Sequence, residues 1–446
     1  MLLACMFTSA NLQSIKVLER TCATAQTYTD VLVTTAKDLI DSDASLVVLD
    51  VRNQTEYDAG HIRSARLIPL HELTGRLSDL NKTDEMLVYC EAGGRSLQAS
   101  QILVDNGFLQ VYNMLGGFTA WNTVGYPYYM KYSSIQKAIN TAVEGESLLV
   151  SSGFYSEHLV VNKSVNLVGE DKYQTILDGS GKGTILSVEA DNVSISCFTI
   201  QFCGCSCLGY CGISAKPYHQ NLIITDNNIL SNGYGIRLNS TTKAILSHNN
   251  ATHCDDAIVI YNSSSVLVSE NSITFNSDGI DLVNSAGNDI FENTICDNLF
   301  GLHMSNSSNN SIISNHFDSN NMSAIHSLGH SANNSVLHNN FVSNAFDVSA
   351  DSTNSWDNGY PSGGNYWSRY AGLDNYSGPN QDQPGSDGIG DTSYDIYANN
   401  TDHYPLMNPC PIVLEFPHFL IIPFFMTATL LAVIFCGRKP ALPAEL

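Results

Sequence analysis

The sequence predicts a multidomain chain, with an α/β domain followed by an all-β right-handed parallel β-helix and a C-terminal transmembrane helix. Three observations support this prediction. Residues 30–129 alternate strand patterns with helical patterns, which is typical of a parallel α/β sheet. Residues 221–346 repeat at intervals of 22 positions, with 24 in the last interval, as a solenoid does. Residues 419–436 form an uncharged apolar run that is followed by Arg438 and Lys439.

The composition excludes some partners. The formal charge is −23, from 20 basic and 43 acidic residues. Such an acidic chain is a poor partner for nucleic acid or for an anionic membrane surface, although it permits cationic or divalent-metal partners. Since 43% of the residues are hydrophobic, the chain can build cores and does not resemble a disordered protein.

Residues 1–29 are interpreted as a degenerate or truncated signal segment. The apolar run Leu2–Ala10 comes before the basic residues Lys16 and Arg20, which reverses the order of a secretory signal. The triplet Ala23-Thr24-Ala25 resembles a cleavage site of small residues.

In the α/β domain, residues 30–129, strands are expected near 46–51, 86–89 and 111–114, and a helix over 96–106. Cys90 ends a strand and begins the Gly-rich loop Cys90–Ser96, which opens that helix. Unpaired loop N–H groups, the positive end of the helix dipole and the Arg95 charge all favour a thiolate. Cys90 is therefore the predicted catalytic nucleophile, although an inert buried thiol is the structural alternative.

The same domain carries motifs in an order that resembles rhodanese (sulfurtransferase) domains. They are Asp50-Val51-Arg52, Glu56-Tyr57, Gly60-His61-Ile62-Arg63-Ser64-Ala65, Ile68-Pro69, Leu115-Gly116-Gly117-Phe118, Ala120-Trp121 and Gly125-Tyr126-Pro127. The resemblance implies an active-site loop that binds substrate through Glu91, Ala92, Gly93, Gly94, Arg95 and Ser96. By the same analogy, Asp50 and Arg52 brace the sheet and the loop.

The expected reaction is a double displacement through a Cys90 persulfide, with Arg95 holding an anionic donor. A cysteine phosphatase is disfavoured, because it needs five residues between its cysteine and its arginine. Four residues separate Cys90 from Arg95.

The repeat predicts about three short strands for each 22-residue coil, because a strand rises about 3.3 Å per residue. Asparagines are expected to stack in one turn and apolar residues inside the coil. The asparagines are Asn227, Asn249, Asn271, Asn293, Asn315 and Asn339; the apolar rung is Ile236, Ile258, Ile280, Leu302 and Ile325. The amphipathic segment Ser134–Val143 suits an N-terminal cap helix for a domain over 130–410.

Residues 134–408 resemble the NosD-like family, whose β-helix is described as a periplasmic copper-binding or carbohydrate-binding domain. The closing motifs Trp356–Tyr360, Gly363–Trp367, Gly385–Asp391 and Tyr404–Leu406 carry this resemblance, which extends to archaeal surface proteins. The resemblance implies copper and a polysaccharide partner. The histidines of the repeats are scattered, so no copper ligand set is transferred to this chain.

Three clusters in the β-helix remain. Cys203, Cys205, Cys207 and Cys211 suggest disulfides, with a zinc or copper(I) site as the alternative. Asp382, Asp387 and Asp391 in a Gly-rich loop have the oxygen ligands that suit calcium. Asp255, Asp256, Asp278 and Asp281 resemble the carboxylate pairs of β-helix glycosidases, but their position in the repeat favours a role in turns.

Residues 417–437 are predicted to span the membrane once, because eighteen apolar residues just reach the length of a spanning helix. The basic pair that follows assigns residues 438–446 to the cytoplasm, with the bulk of the chain extracellular or periplasmic.

The sequence thus predicts a membrane-anchored cell-surface sulfurtransferase whose β-helix binds or displays a ligand. Its partners would be a small sulfur donor and a thiol acceptor, it would need no cofactor, and it would not bind nucleic acid. One alternative is a surface carbohydrate-binding or scaffold protein with a non-catalytic first module. Another is a β-helix glycosidase or lyase.

Overall fold

The structure, a computed structural model, describes residues 27–397 and 400–411. The chain divides into two compact units between Lys131 and Tyr132. The first strand begins at Thr29, inside the segment that the sequence assigned to a signal. The predicted membrane helix and cytoplasmic tail, and residues 1–26, lie outside the described residues. Within the described residues no helix is long and apolar enough to cross a membrane.

The first unit is a five-stranded parallel sheet with helices around it. Its strands are β1 (Thr29–Val31), β2 (Val47–Asp50), β3 (Arg66–Leu67), β4 (Glu85–Tyr89) and β5 (Gln110–Met114). Its helices are α1 (Val33–Ser42), α2 (Gln54–Ala59), α3 (Leu70–Leu73), the 3-10 helix Thr74–Asp79, α4 (Gly94–Asp105) and α5 (Gly117–Val124). The strand order is β1-β5-β4-β2-β3, and every pairing is parallel.

Both faces of this sheet are buried, as parallel sheets require. Along β4, Met86 and Val88 pack into one apolar cluster, whereas Leu87 and Tyr89 pack into the other. The central strand β4 therefore ends deep in the unit, and Cys90 follows it directly.

The second unit begins with α6 (Ile135–Thr141), which buries Ile135 and Ile139 against the first coils. The Glu157 carboxylate accepts hydrogen bonds from the N–H groups of Ile135 (2.9 Å) and Gln136 (3.2 Å). A negative charge at a helix N-terminus is stabilising.

Three parallel sheets of ten, nine and nine strands follow within the described residues, and each coil contributes one strand to each sheet. The first face contains Glu146–Val150, Val165–Gly169, Ser194–Ser196, Ile223–Thr225, Ile245–Ser247, Leu267–Ser269, Asp289–Phe291, Ser311–Ile313 and Ser335–Leu337. The second face contains Gly153–Tyr155, Thr175–Asp178, Thr199–Gln201, Asn228–Leu230, Asn250–Thr252, Ser272–Thr274, Thr294–Cys296, His316–Asp318, Asn340–Val342 and Tyr366–Trp367. The third face contains Leu159–Val161, Leu186–Val188, Cys211–Ala215, Tyr234–Asn239, Asp256–Tyr261, Asp278–Val283, Phe300–Ser305, Ser323–Leu328 and Val348–Ala350.

This arrangement is that of a parallel β-helix; its right-handed sense stays a prediction. The predicted apolar rung points inward, because Ile236, Ile258, Ile280, Leu302 and Ile325 are all fully buried. Two short antiparallel pairs close the unit, Tyr376–Ser377 with Gln383–Pro384 and Tyr394–Tyr397 with Asn400–Asp402.

The asparagine ladder forms in one turn of the β-helix. Each Nδ2 donates to the Oδ1 of the next asparagine at 2.9–3.1 Å, from Asn227 through Asn339 to Asn365. The same Oδ1 also accepts the preceding asparagine's backbone N–H, for example Asn249 N–H to Asn271 Oδ1 at 2.9 Å. Buried turn amides that have no strand partner thus find one in the next coil.

Two further ladders, which the sequence reading missed, pair their amides at 2.9–3.3 Å. One joins Asn276, Asn298, Asn320 and Asn344, and the other joins Asn288, Asn310, Asn334 and Asn354. The ladders end at a polar cap. There the Asp402 carboxylate accepts from the Asn365 N–H, and the Asn400 Oδ1 accepts from the Asn354 N–H.

The ladder predicts a specific stability effect. Asn271 is 2% exposed, and its amide accepts from Asn249 and donates to Leu246 O, Ser269 O and Asn293 Oδ1. Asn271→Ala leaves these buried groups unpaired, and we expect a loss of about 3 kcal/mol in the free energy of unfolding. Urea unfolding followed by circular dichroism measures the change.

The exposed Asn380 provides the matched control, and Asn380→Ala should change the free energy of unfolding by less than about 0.5 kcal/mol. Equal effects of the two substitutions would contradict a stabilising role for the ladder.

Candidate active site

The loop Cys90–Ser96 joins β4 to α4 and surrounds one sulfur atom. Cys90 is 1% exposed, and its Sγ accepts a hydrogen bond from the Gly93 N–H at 3.1 Å. The Ser96 Oγ lies 3.6 Å from the same sulfur and 3.1 Å from the Gly93 carbonyl oxygen, so its one proton can be donated to the carbonyl or, once the thiol ionises, to the sulfur. Gly93 is the N-cap residue of α4, and its left-handed φ of 101° is a conformation that favours glycine.

These donors decide the charge state of the thiol. Burial alone raises the pKa of Cys90, but hydrogen bonds from the Ser96 N–H, the Ser96 hydroxyl and the N–H groups of Ala92 and Gly93 outweigh it. The net pKa of Cys90 lies below its usual value of 9.0. Burial instead raises the pKa of Cys203 to about 11 and that of Cys254 to about 12.

The glycine turn at the start of α5 also contacts the loop. Helix α5 begins at Gly117, and the Phe118 N–H donates to the Cys90 carbonyl at 2.8 Å. A β carbon on Gly117 would collide with that carbonyl oxygen, so only glycine allows α5 to approach so closely. The Thr119 N–H likewise donates to the Glu91 carbonyl at 2.9 Å.

Arg52 ties the loop to the sheet. It is 1% exposed; its Nη2 donates to Asp50 Oδ2 at 2.7 Å and its Nη1 donates to Glu91 Oε2 at 3.0 Å. Its guanidinium also lies 4.3 Å from the centre of the Phe118 ring. Burial lowers the pKa of Arg52, but the Asp50 carboxylate more than offsets this, so the side chain stays charged.

Arg95 has a partner that the sequence reading did not assign. Its guanidinium grips both oxygens of Glu56, with Nη1 2.8 Å from Oε2. This contact lowers the pKa of Glu56 to about 2. Glu56 also accepts from the Asn53 N–H, which completes a capping box at the start of α2. The Asn53-x-x-Glu56 spacing signals this capping box in the sequence, but it does not signal the contact with Arg95.

A cavity of about 410 Å³ adjoins the loop. Its lining includes Arg52, Arg95 and His71, together with Val51, Asn53, Pro69 and Leu70. The site therefore combines a nucleophilic sulfur, convergent N–H donors and an adjoining cavity of small-molecule size, whose lining includes two arginines that are each paired with carboxylates. This set of groups can hold a small anion and attack it.

The cysteine cluster of the second unit, predicted to form disulfides or a metal site, contains one disulfide. Cys205 and Cys207 are joined by a disulfide, whereas Cys203 and Cys211 are free, buried thiols. Among the described residues, no three His, Cys, Asp or Glu side chains are grouped so that they could hold a metal ion. The donor set of the described residues therefore does not fit a copper centre.

The acidic loop uses its carboxylates to organise its own backbone. Asp391 accepts from the N–H groups of Asn375 and Tyr376, at 3.0 Å each. Asp387 accepts from the Ile389 N–H at 3.1 Å, and Asp382 is exposed. The structure does not bring the three predicted calcium ligands into one group.

The Cys90 environment predicts how the thiol titrates. Ser96→Ala removes a hydroxyl that stabilises the thiolate, so the pKa of Cys90 should rise. The pH profile of Cys90 alkylation by iodoacetamide, read by peptide mass spectrometry, should shift to higher pH. Ser100→Ala is the control, because its hydroxyl is buried on the same helix with no hydrogen-bond partner among the described residues. An unshifted profile for Ser96→Ala would refute the proposed stabilisation.

Comparison with known proteins gives two domain matches. Residues 32–123 match the rhodanese-like domain, and residues 139–372 match the family described as periplasmic copper-binding protein (NosD). Over 89 residues, a sulfurtransferase of Allochromatium vinosum is 36% identical, which covers 20% of this chain and 82% of that protein. The thiosulfate sulfurtransferase GlpE of Coxiella burnetii is 37% identical over 76 residues, covering 17% of this chain and 71% of that protein.

The chain is 35% identical to the Bacillus subtilis protein YrkF over a region that covers 56% of that protein and 23% of this chain. It is 39% identical to YqhL of the same organism over a region that covers 59% of that protein and 17% of this chain. Among solved structures, a rhodanese-related protein of Thermoplasma volcanium is 29% identical, with a TM-score of 0.22, covering 23% of this chain and all of that one. The NosD match spans more than half of the 446 residues. The chain therefore belongs to the NosD family, and it carries a rhodanese-like domain ahead of its β-helix.

Proposed function

We propose that this protein is a sulfurtransferase that moves sulfane sulfur from thiosulfate or a persulfide through a persulfide on Cys90. The observation that carries the proposal is the convergence of the Ala92, Gly93 and Ser96 donors on the Cys90 sulfur, which lowers its pKa. The named relatives of the first unit, a sulfurtransferase and a thiosulfate sulfurtransferase, support the same chemistry.

The first half-reaction is a displacement at sulfur. The Cys90 thiolate attacks the outer sulfur of thiosulfate, a new S–S bond forms, and the original S–S bond breaks with both electrons leaving on sulfite. The product is a Cys90 persulfide anion, which the loop N–H groups stabilise as they stabilise the thiolate. The adjoining cavity is lined by Arg52 and Arg95, and Arg95 can donate to an anionic donor if its guanidinium exchanges Glu56 for that donor.

The second half-reaction restores the enzyme. A thiol acceptor, or cyanide in the assay, attacks the outer sulfur of the persulfide, and Cys90 leaves as a thiolate. The low pKa of Cys90 helps this step too, because a thiol of lower pKa is the better leaving group. The cycle needs no cofactor.

We place the bulk of the chain outside the cytoplasm, in a periplasmic or extracellular space. The NosD family description supports this location, and so does the Cys205–Cys207 disulfide, since disulfides persist in oxidising compartments. There the β-helix would serve as the binding or display module, and a polysaccharide remains its proposed ligand class. A single-pass membrane anchor over residues 417–437 stays a prediction.

The cyanide assay tests the enzyme directly. The purified protein should form thiocyanate from thiosulfate and cyanide, and Cys90→Ser should lower kcat/KM by about 1,000-fold or more. Cys203→Ser is the matched control, because that buried thiol has a raised pKa and should not matter. Equal rates for wild type and Cys90→Ser would contradict the proposal and favour a scaffold protein with a non-catalytic first module.

Arg95 provides a second test. Removing its charge should weaken binding of the anionic donor, so Arg95→Met should raise KM for thiosulfate about tenfold, or about 1.4 kcal/mol. Arg66→Met, at an exposed arginine of the same unit, should leave KM unchanged. A similar change in both variants would show that Arg95 has no specific role.

A further inference from the structure

One coil of the β-helix leaves the regular path beside the third face. Residues 202–210 connect its second-face strand to its third-face strand, whereas residues 231–233 make the same connection in the next coil. The Cys205–Cys207 disulfide and a hydrogen bond from the Ser206 hydroxyl to Asp255 hold the longer connection. Insertions of this kind map to loops on one face of a solenoid, which is often its binding face.

The longer connection adjoins a cavity of about 230 Å³, which Gly209 helps to line. The lining also includes two cations, Lys216 and Arg237, and the hydroxyl groups of Thr184 and Ser214. None of the described residues that line the cavity carries a carboxylate. Because the whole chain has a net charge of −23, two cations without a carboxylate are a local exception on this protein.

Strand pairing on the third face explains where this hollow lies. Ser187 is directly opposite Ser214, and Ser214 is directly opposite Arg237 in the next strand. Lys216 follows Ser214 by two residues, so its side chain points to the same side of the sheet. The two serines are short and the two cations are long, and the hollow therefore lies over the serines, between Lys216 and Arg237.

The protein itself does not neutralise either cation. Within the part of the chain that the structure describes, the charged groups of Lys216 and Arg237 form no ion pair and no hydrogen bond. The Arg237 Nε is shielded from solvent, and the guanidinium lies 5.1 Å from the centre of the Tyr234 ring. That ring positions the cation but supplies no acceptor. Because native proteins rarely leave a shielded donor unpaired, we expect an acceptor from outside the chain.

The groups around Cys211 indicate that the two cations converge. Burial raises the pKa of the Cys211 thiol, whereas the charges of Arg237 and Lys216 both act in the opposite direction. The Thr184 hydroxyl accepts from the Cys211 N–H at 3.2 Å, so its own proton is free to be donated. The Ser187 hydroxyl already donates to the Glu189 carboxylate at 3.2 Å and is not counted as a donor to a ligand.

We propose that this cavity binds a tetrahedral oxyanion, a sulfate or phosphate group, between Arg237 and Lys216. Two cations and a hydroxyl donor that approach from different directions match the four oxygens of such a group, whereas a planar carboxylate presents only two. The cavity is smaller than the roughly 300 Å³ at which drug-sized pockets begin, so it suits one charged group, either free or at the end of a larger ligand. This site belongs to the β-helix and does not involve Cys90 or sulfur transfer.

Calorimetric titration of the full chain with sodium sulfate, at an ionic strength held constant with sodium chloride, tests the site. Wild type should bind sulfate saturably, and sodium phosphate should compete with it. Arg237→Met and Lys216→Met should each raise Kd about tenfold, because each removes a charge-assisted hydrogen bond. Arg237→Lys keeps the charge and should raise Kd less. Lys137→Met removes the same charge from an exposed position of α6 and should leave Kd unchanged.

Two further arms separate the site from its alternatives. The titrations are repeated with Arg95→Met, which lacks the guanidinium beside Cys90, and sulfate binding that persists there belongs to the β-helix. Glucose 6-sulfate is compared with neutral glucose, which should not bind. Tighter binding of glucose 6-sulfate than of sulfate identifies the end group of a larger ligand, and binding that is no tighter identifies the free anion.

Three results would overturn the proposal. The first is the absence of saturable sulfate or phosphate binding in the Arg95→Met protein. The second is an equal Kd for Lys216→Met and Lys137→Met; both side chains are exposed, so both variants should fold, as circular dichroism would verify. The third is binding of acetate, a planar anion, as tightly as sulfate.

Discussion

Backbone N–H groups at the turns need an acceptor once they are buried, and this requirement shapes both units. In the β-helix the acceptors are asparagine Oδ1 atoms, each of which takes two hydrogen bonds from the coil before it. In the first unit the acceptor is the sulfur of Cys90, which faces the N–H groups that open α4. One physical rule thus gives a stable ladder in one place and a reactive thiolate in the other.

The difference between the two outcomes comes from the acceptor. An amide oxygen is neutral and is satisfied by its hydrogen bonds, so a stack of asparagines is chemically inert. A thiol sulfur accepts the same hydrogen bonds only weakly, whereas a thiolate accepts them strongly, and the loop therefore favours the charged, nucleophilic form. Arg52, with Asp50 and Glu91 as partners, and the close approach of Gly117 keep the loop in that geometry.

Periodicity was the most informative feature of the sequence. The Asn227–Asn339 spacing predicted the coil length, the stacked turn and the buried rung that ends at Ile325. The Glu56–Arg95 contact could not be read in the same way, because its partners are 39 residues apart and meet only through the fold. The sequence singled out Asp256 and Asp278 but favoured turns for them, whereas each begins a strand, because the point where a strand starts depends on pairing between coils.

Formation of the Cys90 persulfide tests the central claim most directly. The protein is incubated with thiosulfate in the absence of cyanide, alkylated and digested, and the masses of its peptides are measured by mass spectrometry. The account predicts the gain of one sulfur atom on the peptide that contains Cys90, and the loss of that sulfur in a sample treated with cyanide before alkylation. Sulfur found on Cys203 or Cys211 instead, or no added sulfur at all, would contradict it.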